Sequence, residues 1–203
     1  MYCHCSATEH NMSIKYKIIA LEGLDGTGKT SLANWLNVTF NYEIIKSPNA
    51  NFFKIRDYFD KSNDIKERFC FYIGASFYIS TLIDDLIACN KIIVLDRYYY
   101  STLAYHYVFD KTIVNKYSNF CKKLTKPDLI VFLKSDYKVA QKRCLKRTRL
   151  ANDNIITSED IYKKITSAYE KYFDTNALII ENNSSFSDLT KRVCQNICFN
   201  LIV

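Results

Sequence analysis

The apolar residues of this chain fall into two alternating patterns. Short, nearly continuous apolar stretches lie at 16–22, 42–46, 91–95, 128–133 and 177–181. Runs of that kind, rich in Ile, Val and Leu, predict strands buried on both faces, because half-exposed strands alternate apolar and polar positions. Between them apolar residues recur every three or four positions, which predicts helices over 29–39, 50–61, 65–89, 98–109, 111–124, 136–149, 157–174 and from about 185. The first helix gathers Leu32, Trp35 and Leu36 on one face, and the 65–89 helix gathers Phe69, Tyr72, Ile73, Ser76, Phe77 and Ser80. Ser47-Pro48 stops the second strand and Pro127 opens the fourth.

Strands that alternate with helices imply an α/β fold of three layers: a five-stranded parallel sheet with helices on both faces. Ligands of such sheets bind beyond the carboxyl ends of the strands. That rule places residues 23–30, Asp96-Arg97 and the residues after Leu133 on one rim.

Composition narrows the picture. At 203 residues the chain fits one domain, expected over 13–203 after a disordered tail at 1–12. Four Gly and two Pro are too few for a turn-rich all-β architecture. The eight cysteines scatter through apolar segments and are expected to be reduced, and Cys3-His4-Cys5 with His10 lacks the paired spacing of a metal site. No run of 18 apolar residues occurs, so neither a membrane span nor a signal peptide is expected, and the location is expected to be cytoplasmic. The net charge of +7 is uneven: residues 111–150 hold twelve Lys or Arg against Asp128 and Asp136. Such a concentration attracts phosphate-bearing partners, although Lys122, Lys123 and Lys126 read as solvated helix charge.

The candidate chemistry starts at 23–30, G-L-D-G-T-G-K-T, which satisfies G-x-x-x-x-G-K-[ST] in full. Glycines let the backbone curl so that successive amides face phosphate oxygens, and the following helix presents its positive end. Gly23, Gly26, Thr27, Gly28 and Ser31 form this cradle, Lys29 would reach the β and γ phosphates, and Thr30 would ligate Mg²⁺. Residues 125–128, T-K-P-D, loosely match a guanine-reading motif but precede a strand where that motif should follow one. No acidic tandem of the ATPase-motor kind follows an apolar strand, so transfer is favoured over hydrolysis.

From Gly23 to about Tyr172 the chain resembles the thymidylate kinases, P-loop enzymes that phosphorylate dTMP with ATP. The likeness rests on L-E-G-L-D-G-T-G-K-T at 21–30, L-D-R-Y-Y-Y-S-T-L-A-Y at 95–105, and K-P-D-L-I-V-F-L at 126–133 with R-C-L-K-R at 143–147. The resemblance implies ATP and Mg²⁺ as cofactors, a nucleoside monophosphate as acceptor, and a homodimer formed through the 65–89 helix. It gives Asp25 to the acceptor sugar, Asp96 to Mg²⁺, and Arg97 to the acceptor phosphate with Ser101 nearby. Arg143 and Arg147 lie on a lid at about 142–154 that would close over the donor, with Arg147 foremost because Gly26 leaves the loop without a basic residue. Tyr72 would stack on the base and Tyr105 pack near the sugar, although both are equally readable as core aromatics. Ser76 replaces the family's thymine-reading arginine, and Lys46 replaces an arginine for the acceptor phosphate. His106 reads as either a base contact or a packed helix histidine. Two rivals stay open: a deoxynucleoside kinase, whose hydroxyl acceptor needs a carboxylate where this chain has Lys46, and a non-catalytic nucleotide- or nucleic-acid-binding protein using the basic segment.

Overall fold

The computed structural model describes residues 16–146, 158–173 and 177–198. The tail expected at 1–12 and most of the lid, including Arg147, lie outside the described residues. Five strands, β1 (Ile18–Glu22), β2 (Glu43–Lys46), β3 (Ile93–Asp96), β4 (Leu129–Lys134) and β5 (Ala177–Glu181), form one sheet in the order β2-β3-β1-β4-β5. Every pairing is parallel. The strands β3, β1 and β4 in the middle are almost wholly buried, whereas β2 and β5 at the edges expose part of their length. The most continuous apolar runs therefore occupy the centre, as burial on both faces requires.

Successive residues of β1 serve opposite faces of the sheet. Ile18 and Ala20 join one core, with Phe69, Ile79 and Ile83 of α3 (Ile65–Ala88), Leu103 of α4 (Tyr99–Phe109) and Tyr169 of a helix at Glu159–Tyr172. Ile19 and Leu21 join the other, with Leu32 and Leu36 of α1 (Lys29–Phe40) and with Leu189 and Val193 of a helix at Phe186–Val193. Helix α2 (Phe53–Lys61) packs beside α3, and α5 (Lys111–Tyr117) follows α4. Helix α6 (Tyr137–Lys146) follows β4, so the Glu159 helix is α7 and the Phe186 helix α8.

Several expected helices divide. The 50–61 segment opens as a 3-10 turn at Ala50–Phe52, where Asn49 accepts the amide of Asn51 at 3.1 Å. The 111–124 segment is α5 and then a 3-10 turn over Ser118–Lys123, which puts Cys121 and Leu124, three residues apart, on one buried face. Helix α8 ends in a π turn at Cys194–Cys198.

One expectation needs correction: α3, with 24 residues, is long and apolar enough by length and composition to cross a membrane. Counting uninterrupted apolar residues missed it because Gly, Ser and Thr break the run without lowering the mean hydropathy much. Its face of Phe69, Ile73, Ile79 and Ile83 is buried in the core on one side of the sheet, and 33% of its most apolar stretch is buried. Asp64 opens it by accepting the amides of Lys66 at 2.7 Å and Glu67 at 3.4 Å.

Connections leaving β1 and β3 run in opposite directions across the sheet, since β1 leads to β2 on one side and β3 to β4 on the other. A crevice opens at the carboxyl ends of strands that diverge in this way. Gly23, Arg97, Ser135 and Asn182 all leave the sheet on that rim.

Candidate active site

The loop between β1 and α1 turns through Gly23, Gly26 and Gly28, each at positive φ (141°, 82° and 101°). Gly26 is the tightest case: a Cβ there would collide with the backbone of Ala140 on α6, so no side chain fits even apart from the strained φ. Thr27 is fully buried and its hydroxyl donates to Leu24 O at 2.8 Å, which braces the curl from inside. Asn182, just past β5, donates from Nδ2 to Thr27 O at 2.8 Å and fixes the same turn from outside.

Lys29 opens α1 and is 5% exposed. Its ammonium curls back over the loop and donates to Leu24 O at 2.6 Å. Burial, helped by the charge of Arg97, pushes its pKa down to about 8. An ammonium held in so poor a solvent favours an incoming anion, because a phosphate restores the stabilisation that water would give.

Thr30 donates from Oγ1 to Asp96 Oδ2 at 2.7 Å, joining the first turn of α1 to the end of β3. A hydroxyl and a carboxylate that close together suit Mg²⁺, which prefers hard oxygen donors and completes its shell with waters and phosphate oxygens. Among the described residues no group of three or more His, Cys, Asp or Glu side chains could cage a metal without such help.

Arg97 follows Asp96 at φ 72°, a left-handed conformation uncommon for a residue with a side chain. Its guanidinium lies across the loop. One nitrogen donates to Gly23 O at 2.9 Å, Ser101 Oγ at 3.1 Å and Tyr169 Oη at 3.2 Å; the other pairs with Asp25 Oδ1 at 2.5 Å. The ring of Tyr105 lies beneath it, with its centroid 5.7 Å from the guanidinium carbon. Asp25, Arg97, Ser101 and Tyr105 are thus one cluster at the mouth of the crevice. Ser31 is exposed on the first turn of α1 beside Thr30.

Arg143 stands on α6 against the other side of the loop. It donates to Asn182 O at 2.7 Å, Ser184 O at 2.9 Å, Ser135 Oγ at 3.3 Å and Gly26 O at 3.5 Å. These bonds tie α6 and the segment after β5 to the β1–α1 loop. Lys134, at the end of β4, pairs with Glu170 of α7 at 2.8 Å.

The remaining sequence-derived candidates lie on α3, α4 and the end of β2. Tyr72 donates from its hydroxyl to Asp60 Oδ1 at 2.5 Å, and Arg56 Nε meets Asp60 Oδ2 at 3.0 Å. Desolvation, together with the bond to Asp60, pushes the Tyr72 pKa up to about 12. Ser76 is fully buried and donates back to Tyr72 O at 3.0 Å. His106 packs edge-on against Phe69 with ring centroids 5.3 Å apart, and its Nδ1 lies 2.8 Å from Thr102 O. Burial pushes its pKa down to about 4, so it is neutral, the behaviour of a packed helix histidine. Lys46 is exposed at the end of β2, in register with Asp96.

Sequence reasoning missed Glu22, Tyr169 and Asn182. A carboxylate ending an otherwise apolar strand was a usable signal for Glu22, and a polar residue directly after β5 for Asn182. Tyr169 is one of 16 tyrosines and carried no distinguishing mark.

A family model described as thymidylate kinase matches residues 21–193. A probable thymidylate kinase of Sulfurisphaera tokodaii is 27% identical over 196 residues, covering 90% of this chain and 96% of that protein. One from Methanococcus maripaludis is 30% identical over 183 residues, covering 84% and 88%. Among solved structures, the thymidylate kinase of Candida albicans has a TM-score of 0.69 at 22% identity, covering 92% of this chain and 94% of that one. A deoxyadenosine kinase from M. mycoides has a TM-score of 0.70 at 19% identity, covering 89% and 99%. These two structural likenesses bear on the fold alone.

Proposed function

Since the chain belongs to the thymidylate kinase family and is a nucleoside monophosphate kinase, we propose that it transfers the γ-phosphoryl of ATP, with Mg²⁺, to a pyrimidine deoxynucleoside monophosphate, dTMP first. One observation carries this reading. The phosphate loop with Lys29 faces Asp96 and Arg97 across a single crevice, and Arg97 already rests on the loop through Gly23 O and Asp25.

Each residue then has a task set by its position. Lys29 leaves Leu24 O for the β and γ phosphates, and the loop amides take the remaining oxygens. Bound between Thr30 and Asp96, Mg²⁺ would neutralise charge on the triphosphate. Arg97 grips the acceptor phosphate and Asp25 the sugar, with Tyr105 packed below the guanidinium. The acceptor phosphate is already an anion at neutral pH, so positioning and charge neutralisation suffice and no strong general base is needed. Arg143 lines the donor side of the loop, and Arg147 is assigned to the lid as the cation that follows the transferring group.

A hydroxyl acceptor would call for a carboxylate base beyond β2. Lys46 is there instead, which supports a monophosphate over a nucleoside. Tyr72 is proposed as the stacking ring, with its hydroxyl held by Asp60. A homodimer through α3 and a cytoplasmic location belong to the same reading, and light scattering tests the first. The decisive experiment for the activity is ADP release with dTMP, thymidine and the other common nucleoside monophosphates as acceptors.

A further inference from the structure

Strand β1 ends on a carboxylate with no access to solvent, Glu22, at 0% exposure. A buried carboxylate is costly unless both oxygens find donors. Here Oε1 accepts the amide of Tyr98 at 2.8 Å and Oε2 accepts the hydroxyl of Ser101 at 2.6 Å. Both donors belong to the start of α4, whose N-cap residue Tyr98 supplies no side-chain cap of its own. Glu22 therefore caps α4 from the neighbouring strand, at the helix end that favours negative charge.

The same contact fixes the residue directly after Arg97. A left-handed arginine persists only where its surroundings hold it. Its own amide is held by Leu21 O at 3.1 Å, and the next amide is the one taken by Glu22. Beyond Ser101 the polar chain returns to the guanidinium: Ser101 Oγ lies 2.8 Å from Tyr169 Oη, and Arg97 donates to both. Ser101 has one hydroxyl proton, and it goes to Glu22. Its oxygen is thereby left to accept from Arg97 and Tyr169.

We propose that Glu22 is a positioning residue for Arg97, holding its backbone turn through the Tyr98 amide and aiming its guanidinium at the acceptor phosphate through Ser101, with Tyr169 as the second support. This rests on the reading of Arg97 as the acceptor-phosphate ligand. Burial pushes the Glu22 pKa up to about 7, against the opposing pull of Ser101, Arg97, the Tyr98 amide and Lys29. A group raised above its unfolded value of about 4.3 binds more protons when folded. Its contribution to stability therefore falls as pH rises through that window. Retaining a costly carboxylate here makes sense if its gain lies in geometry at the site.

Steady-state kinetics of Glu22→Gln and Tyr169→Phe, with dTMP and Mg-ATP varied in turn, test this. Each variant is expected to raise the dTMP KM about tenfold while the ATP KM stays within about twofold, the split that marks loss of acceptor positioning. Unfolding at pH 8 is expected to leave Glu22→Gln at least as stable as the parent. Unchanged kinetics in both variants would overturn the inference, as would an ATP KM that rises together with the dTMP KM. If Glu22→Gln fails to fold, Tyr169→Phe, which removes one oxygen, carries the test alone. Absence of ADP release by the unmodified protein with every monophosphate would instead sink the functional reading beneath it.

Discussion

The two sides of the crevice are built from different materials. On the proposed donor side the geometry is made by backbone: three positive-φ glycines, Thr27 braced on Leu24 O, and Asn182 holding Thr27 O from just past β5. On the proposed acceptor side, between α2, α3 and α4, it is made by side chains held by other side chains, as in Tyr72 on Asp60 and Asp60 on Arg56. The proposed ligands would account for the difference. A triphosphate tail is the same in every nucleotide and calls for amides, an ammonium and a cation in one arrangement, whereas a base edge can be read by many sets of side chains. On the proposed reading the donor half therefore needs one fixed arrangement, whereas the acceptor half admits alternatives, and Ser76 stands where the resemblance expects an arginine.

The sharpest break between the halves is Lys29→Ala. Losing the ammonium is expected to cut kcat by about a thousandfold or more. Thermal unfolding should barely move, because the buried charge is itself a burden on the fold. Activity near that of the parent would show that the donor half is not the engine.

Next in size is Gly26→Ala, which drives a Cβ into the backbone of Ala140 at a left-handed φ. It is expected to cost about 2 kcal/mol or more in urea unfolding. Gly74, inside α3 with open space where a Cβ would stand, is the counterpart on the acceptor side. There alanine is expected to stabilise by about 0.5–1 kcal/mol. Equal effects at the two glycines would erase the contrast drawn between the halves.

Tyr72 separates stacking from anchoring. Tyr72→Ala is expected to raise the dTMP KM about tenfold with the ATP KM unchanged, while Tyr72→Phe loses the bond to Asp60 and about 1 kcal/mol of stability with little change in KM. A large KM effect in Tyr72→Phe alone would make the hydroxyl, rather than the ring, the acceptor contact. The smallest effect is protonic. With its pKa near 8, Lys29 is partly neutral at pH 8.5 in the free protein. Polyphosphate binding favours its charged form, so calorimetry in buffers of different ionisation enthalpy should register proton uptake at pH 8.5 that Lys29→Ala lacks. Proton release there would contradict the assigned contact.

Much of the fold was legible in the sequence because it depends on local period and burial. The run at 177–181 is β5 to the residue, and the other strands begin or end within two positions of their apolar runs. Gly23 to Thr30, Asp96 and Arg97 meet on the expected rim because parallel strands deliver their ends to the same side. What escaped were partners distant along the chain. Tyr169 reaches Gly23 O across 146 positions, and Asn182 reaches Thr27 O across 155. No periodicity links such residues, and the packing of α7 on α4 and of β5 on β4 brings them to the loop. Arg143, expected on the donor phosphates, stands beside the loop and donates to the carbonyls of Gly26, Asn182 and Ser184, long-range partners that no local pattern announces.

The central claim is that one crevice holds a triphosphate on Lys29 and a monophosphate on Arg97. Its most direct test is ADP release by the purified protein with Mg-ATP and either dTMP or thymidine, run beside Lys29→Ala and Arg97→Ala. The account predicts turnover with dTMP that exceeds thymidine by at least about tenfold, vanishes in Lys29→Ala, and in Arg97→Ala fails mainly through the dTMP KM. Turnover that requires only the nucleoside, or that survives the loss of Lys29, would contradict it.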